Sequence, residues 1–266
     1  MSRCSTSEFI QAMTVSVSCL CPRLASRAST RRAAADNALS STTFALGQQA
    51  ALEAGYNVVA PGYALAPQNP YPVPTVQLSQ AVEFLKEHGA EYGIDMNRLV
   101  IEGGSAGGYI AAQYALIQSN PDYAARTGIE QTIDPDALQA VVLDSAPLDT
   151  EDLATEAPSL SDDFVFDFAA RAFLGTTPST LEEAQIIDNV TSAYPPTFID
   201  DGNIGTWPHQ AQRLSDRLDE LGVPTQLYLV PRSEADLPHA YVGGDLEPWV
   251  GRYNEQKLRF LAEFVR

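Results

Sequence analysis

The chain of 266 residues predicts an α/β architecture: a mostly parallel sheet with helices on both faces. Three observations carry this. The runs "RLVIE", "LQAVVLD" and "TQLYLV" are continuously apolar rather than alternating, as strands covered on both sides are. Segments of helical length and helical periodicity lie between them. The length, with 45% apolar residues, suffices for a sizeable core in one large domain or two small ones.

The elements follow in order. "TFALGQQAALEAG" reads as a helix closed by Gly55, and "YNVVA" as a strand. "PGYALAPQNPYPVP" holds five prolines and cannot be helix. "TVQLSQAVEFLKEHG" places Leu78, Val82 and Leu85 on one helical face. "RLVIE" is a second strand, "SAGGYIAAQYALIQS" a buried helix and "LQAVVLD" a third strand. An insertion follows, roughly Asp149–Tyr194. In it "SDDFVFDFAARAFLG" begins at a Ser161 cap with Phe164 and Phe168 on one face. "STLEEAQII" carries a capping box, Ser179 with Glu182. Two short helices inserted at the carboxyl end of a parallel sheet fit either a cap over a site or ordinary packing. "TFID" is a fourth strand, followed by a helix with Ala211, Leu214, Leu218 and Leu221 on one face and Gly222 as its stop. "TQLYLV" is the fifth strand, and "EPWVGRYNEQKLRFLAEFV" the last helix.

The formal charge is −18, which argues against nucleic acid as a partner. No apolar run reaches the roughly 20 residues of a membrane span, and a cytoplasmic location is expected. Residues 1–36 differ from the rest. They hold Arg3, Arg23, Arg27, Arg31 and Arg32 against only Glu8 and Asp36. All three cysteines (Cys4, Cys19, Cys21) lie there, and no glycine precedes Gly47. This head is Ser/Arg-rich and acid-poor, as transit peptides are. Three clustered cysteines with no histidine nearby make a poor zinc site, so no metal is expected.

The chemistry centres on "EGGSAGGY", Glu102–Tyr109. A serine between glycine pairs, after a strand and before a helix, has the form of a nucleophile elbow. Gly103 and Gly107 remove side chains where strand and helix come closest. Ser105 then stands strained at a helix N-terminus, where the helix dipole and the Ala106 N–H favour negative charge. A dinucleotide fold is disfavoured. Its glycines would follow the first strand, with an acid about 20 residues on, and the residue at that distance from Gly103 is Tyr123.

Four segments together, "GYNVVAPGYALAPQNPYP", "GGSAGG", "PPTFIDDGN" and "LPHAYV", resemble the acetyl-esterase / hormone-sensitive-lipase-like group of the α/β-hydrolases (fold-3 type). The first two correspond to that group's V-D-Y-R-L-A-P-E-x-x-F-P and G-D-S-A-G-G. The resemblance covers residues 37–266, with 149–194 as a cap insertion. It implies an α/β-hydrolase fold and a serine carboxylic-ester hydrolase acting on small acyl esters. It also implies no cofactor and a small-molecule ester as the partner.

A serine hydroxyl needs a base, and three histidines exist. His88 ends a helix before the elbow strand. His209 opens a later helix and could approach the rim. His239 follows the fifth strand, in the order Ser…acid…His that this fold uses, and is the expected base. The resemblance places the acid as G-x-x-D after the fourth strand, but this chain reads Gly202-Asn203-Ile204-Gly205. Asp201, Asp200 and Asp144 remain as candidates, Asp201 first. Ala106 N–H is the expected oxyanion donor. The group's H-G-G-G motif has no counterpart, since neither glycine before Gly47 nor histidine before His88 exists.

The strand that precedes that motif in the family lies between those corresponding to "YNVVA" and "RLVIE". "TVSVSCL", Thr14–Leu20, is the candidate replacement. Residues 1–36 are otherwise expected to be atypical: disordered, or not native to the family. In "PGYALAPQ", Gly62, Ala64 and Gln68 replace charged residues of the group, which reads as structural drift. The displaced acid and missing glycine motif leave an alternative open: a catalytically impaired hydrolase-fold protein or binding module.

Overall fold

A computed structural model describes residues 17–22, 45–150, 152 and 171–265. The helix expected from Ser161 through Phe164 and Phe168 lies largely outside the described residues. The strands are β1 (Val17–Pro22), β2 (Tyr56–Val59), β3 (Leu99–Gly104), β4 (Leu138–Asp144), β5 (Thr197–Asp201) and β6 (Thr225–Leu229). The helices are α1 (Ala45–Glu53), α2 (Val73–His88), α3 (Ala106–Ser119), α4 (Pro121–Thr127), α5 (Pro178–Ala184), α6 (Pro208–Glu220) and α7 (Trp249–Phe264).

They form one six-stranded sheet in the order β2-β1-β3-β4-β5-β6. From β3 to β6 every pairing is parallel. β1 runs antiparallel to both of its neighbours, with Cys19 opposite Val59 on one side and Ile101 on the other. The gap anticipated between "YNVVA" and "RLVIE" is thus filled by the head of the chain, through Val17–Pro22, which shares Val17–Leu20 with the expected stretch; residues 14–16 lie outside the described residues.

Strand periodicity divides the core. Leu99, Ile101, Val141, Leu143 and Ile199 face one layer, with Leu78, Val82 and Leu85 of α2 and the buried length of α3. Val100, Val142 and Phe198 face the other, with Val250, Tyr253, Phe260 and Leu261 of α7. α3 is buried from Gly107 to Gln118, which explains why it is apolar all round. α2, α6 and α7 each bury one stripe. Among the described residues no helix is long and apolar enough to cross a membrane.

The described end of the insertion docks against the loop before α2 and against α3 and α4. Tyr71 N–H donates to Phe173 O, Tyr71 Oη to Glu183 Oε1, Tyr109 Oη to Ala184 O and Tyr123 Oη to Glu183 O. The expected Ser179–Glu182 capping box does not form. Thr177 is the N-cap of α5 and Pro178 begins the helix. Proline at the first helical position fixes the backbone there, so Ser179 falls inside the first turn instead of capping it.

Candidate active site

The elbow owes its shape to backbone proximity. A Cβ on Gly103 would lie 2.2 Å from Gly107 O, and one on Gly108 would lie 2.6 Å from Ala146 Cβ. A side chain is therefore excluded at Gly103, as expected from the spacing, and at Gly108, while Gly107 enters the contact through its backbone carbonyl. β3 ends at Gly104, and α3 begins at Ala106 with Ser105 as its N-cap. Ser105 has φ 51° and ψ −127°, a conformation that costs a non-glycine residue about 1–3 kcal/mol. Its N–H is held by Asp144 O at 2.8 Å. Ala106 is the first residue of α3, so its N–H belongs to the turn that has no intrahelical acceptor.

His239 comes from the loop after β6. Its Nε2 lies 2.9 Å from Ser105 Oγ. Its Nδ1 lies 3.1 Å from Thr206 Oγ1, and Thr206 Oγ1 donates to Asp201 Oδ1 at 2.5 Å. Asp201 also accepts from Gly202 N–H at 2.7 Å and from Trp207 N–H at 3.0 Å. The Ser145 hydroxyl bonds the same carboxylate and accepts from Ala240 N–H at 3.0 Å. The Trp207 ring meets the imidazole edge-on, with centroids 5.4 Å apart. Burial lowers His239 to about 4, so the ring is neutral at pH 7. Burial pushes Asp201 up to about 6, against the hydrogen bonds from Thr206, Ser145, Gly202 and Trp207 that favour its ionised form.

The remaining candidates go elsewhere. Asp200 points to the opposite face of the sheet, where its Oδ1 accepts from Tyr241 Oη at 2.8 Å. Burial and the neighbouring Asp144 hold it well above the usual carboxylate range. Asp144 is wholly buried on that face beside Glu102 and Lys257; burial and Glu102 push it up to about 7 while Lys257 opposes them. His209 is exposed and bonds Asp152 Oδ2 at 2.9 Å. His88 is exposed and pairs with Glu91. The structure thus brings Ser105, His239 and Asp201 together and leaves Asp200, Asp144, His209 and His88 out.

Thr206, Ser145 and Trp207 were not singled out by sequence reasoning. Thr206 had one usable signal: it directly follows Gly205, where the resemblance expected the acid. Ser145 directly follows β4, at the carboxyl end of the parallel strands, where such sheets gather their site residues.

A family model described as alpha/beta hydrolase fold matches residues 38–242. Esterase LipQ of Mycobacterium tuberculosis is 29% identical over 219 residues, spanning 80% of this chain and 47% of that protein. The chain therefore spans about half the length of this relative. Among solved structures, the carboxylesterase Cest-2923 from Lactobacillus plantarum aligns with a TM-score of 0.66 at 19% identity, covering 84% of this chain and 80% of the other. Esterase B from Lactobacillus rhamnosis aligns with a TM-score of 0.69 at 20% identity, covering 83% and 70%. With its sheet order, its strained serine and a family match over most of its length, the chain belongs to the alpha/beta hydrolase fold family, in the branch its esterase relatives share.

Proposed function

We propose that the protein is a serine carboxylic-ester hydrolase acting on small acyl esters. The observation that carries this reading is the 2.9 Å approach of His239 Nε2 to Ser105 Oγ on a strained strand-to-helix turn. In the first half-reaction Ser105 Oγ attacks the acyl carbon while His239 takes its proton. The Ala106 N–H stabilises the developing oxyanion at the head of α3. The imidazolium returns the proton to the departing alcohol, leaving an acyl-serine. Water, activated by the same histidine, then releases the acid and restores Ser105. Asp201 stabilises the imidazolium formed in each half. The reaction as written draws on protein groups alone, with a small-molecule ester as the partner. The names of the esterase relatives support the substrate class.

The test is hydrolysis of p-nitrophenyl esters of increasing chain length by the protein and by Ser105→Ala. Turnover of the shortest esters, lost in the variant, is expected. Equal background rates in both would overturn the reading and leave a binding role on a hydrolase fold.

A further inference from the structure

We propose that Thr206 is a positioning residue: its hydroxyl couples the Asp201 carboxylate to His239 and selects the imidazole tautomer able to take a proton from Ser105. The kinetic part of this inference rests on the ester-hydrolase reading above.

The donor and acceptor inventory leads to it. An ionised carboxylate only accepts hydrogen bonds, and a threonine hydroxyl has a single proton. That proton is directed at Asp201 Oδ1, 2.5 Å away. The side of Oγ1 facing His239 Nδ1 at 3.1 Å is then a lone pair, so Nδ1 carries the ring proton. A neutral imidazole has one such proton, which leaves a lone pair on Nε2, 2.9 Å from Ser105 Oγ. Each bond in the series fixes the direction of the next.

The carboxylate at the head of the series is itself held. Gly202 N–H and Trp207 N–H reach one oxygen each, and the Ser145 hydroxyl adds a third donor. The Trp207 ring limits rotation of the imidazole. Gly205 offers no side chain, and the hydroxyl one residue further on bridges from Asp201 to the ring.

The test combines a spectroscopic and a kinetic readout. The chain has three histidines, so nitrogen-15 imidazole spectra at pH 8 resolve them, with His88→Gln and His209→Gln to assign His239. The wild type and Thr206→Ser should show His239 with its proton on Nδ1. Thr206→Val, which keeps the branched shape without the hydroxyl, should shift the proton toward Nε2. With p-nitrophenyl acetate, Thr206→Val should lower kcat about 10- to 100-fold with KM changed less than about threefold, and Thr206→Ser should retain most of kcat. Asp201→Asn should cost more, up to about 10⁴-fold. Adding Thr206→Val to Asp201→Asn should cost little further, because the two act in series.

A wild-type His239 protonated on Nε2 overturns the proposal outright. So does a folded Thr206→Val that keeps the Nδ1 proton and the wild-type kcat. Absence of ester turnover in the wild type would defeat the hydrolase reading instead, and the spectra then decide the role of Thr206 by themselves. Should Thr206→Val fail to fold, the wild-type spectrum and the Asp201→Asn spectrum carry the same decision.

Discussion

Among the described residues, the non-glycine residues with positive φ are Ser105, Ser145 and Ala240, and all three border the same site. Ser105 presents the hydroxyl to His239, Ala240 follows His239, and Ser145 ties Ala240 to Asp201. Removing the Ser145 hydroxyl deprives a buried carboxylate of a donor and a backbone N–H of its acceptor. Ser145→Ala is expected to cost about 1–3 kcal/mol in urea unfolding and to lower kcat more than it raises KM. Ionisation of Asp201 sets a further expectation. Its carboxylate is protonated below about 6, whereas His239 stays neutral down to about 4. The acid limb of the pH–kcat profile should therefore fall near pH 6 and vanish in Asp201→Asn, leaving a slow rate flat to near pH 4. The elbow serine and the histidine were legible because each sits in a local motif. Thr206 was not, since its role depends on a side-chain meeting across 33 residues that no spacing rule encodes.

At the scale of elements, the alternation of β5 separates two adjacent aspartates that sequence reasoning had left open. Phe198 and Asp200 point toward α7, whereas Ile199 and Asp201 point to the other face. The period-2 rule was available from the sequence, but the face carrying the site was not, because it depends on where the histidine loop returns. The strands from β3 onward were legible as short apolar runs, α2 and α6 from one apolar face each, and α3 and α7 as segments of helical length. The antiparallel sense of β1 was not, since direction within a sheet leaves no mark on a short apolar run. α7 carries its own commitment. Lys257 is buried and its Nζ lies 2.6 Å from Glu102 Oε1 on β3. Breaking a buried pair by removing one partner leaves an uncompensated charge, at a cost of about 3–5 kcal/mol. Lys257→Met should show that loss in urea unfolding, and Lys257→Met with Glu102→Gln should recover part of it.

For the whole molecule, the buried acids tie stability to pH. Asp144 is raised to about 7 and Asp200 is raised well above its usual range. Groups raised in this way favour the folded state below their unfolded values, and that contribution is lost as pH climbs through the folded ones. His239 works the other way: its contribution is present above about 6.5 and is lost as pH falls toward 4. Between pH 8 and 6 the acids dominate, so Tm should be higher at pH 6 than at pH 8, and Asp144→Asn should flatten the difference. The reduced self-repulsion of a chain with charge −18 acts in the same direction and persists in that variant. The place of β1 has a consequence in time. It lies between β2 and β3, with Leu20 opposite both Val58 and Val100, so a strand made before both of its neighbours is wedged between them. On the ribosome it meets its first neighbour some 40 residues on and its second some 80 residues on. Two strands alone are marginal in water. Nascent chains halted before β3 has emerged should therefore remain open to protease, and protection should appear as a single late step once that strand closes the seam.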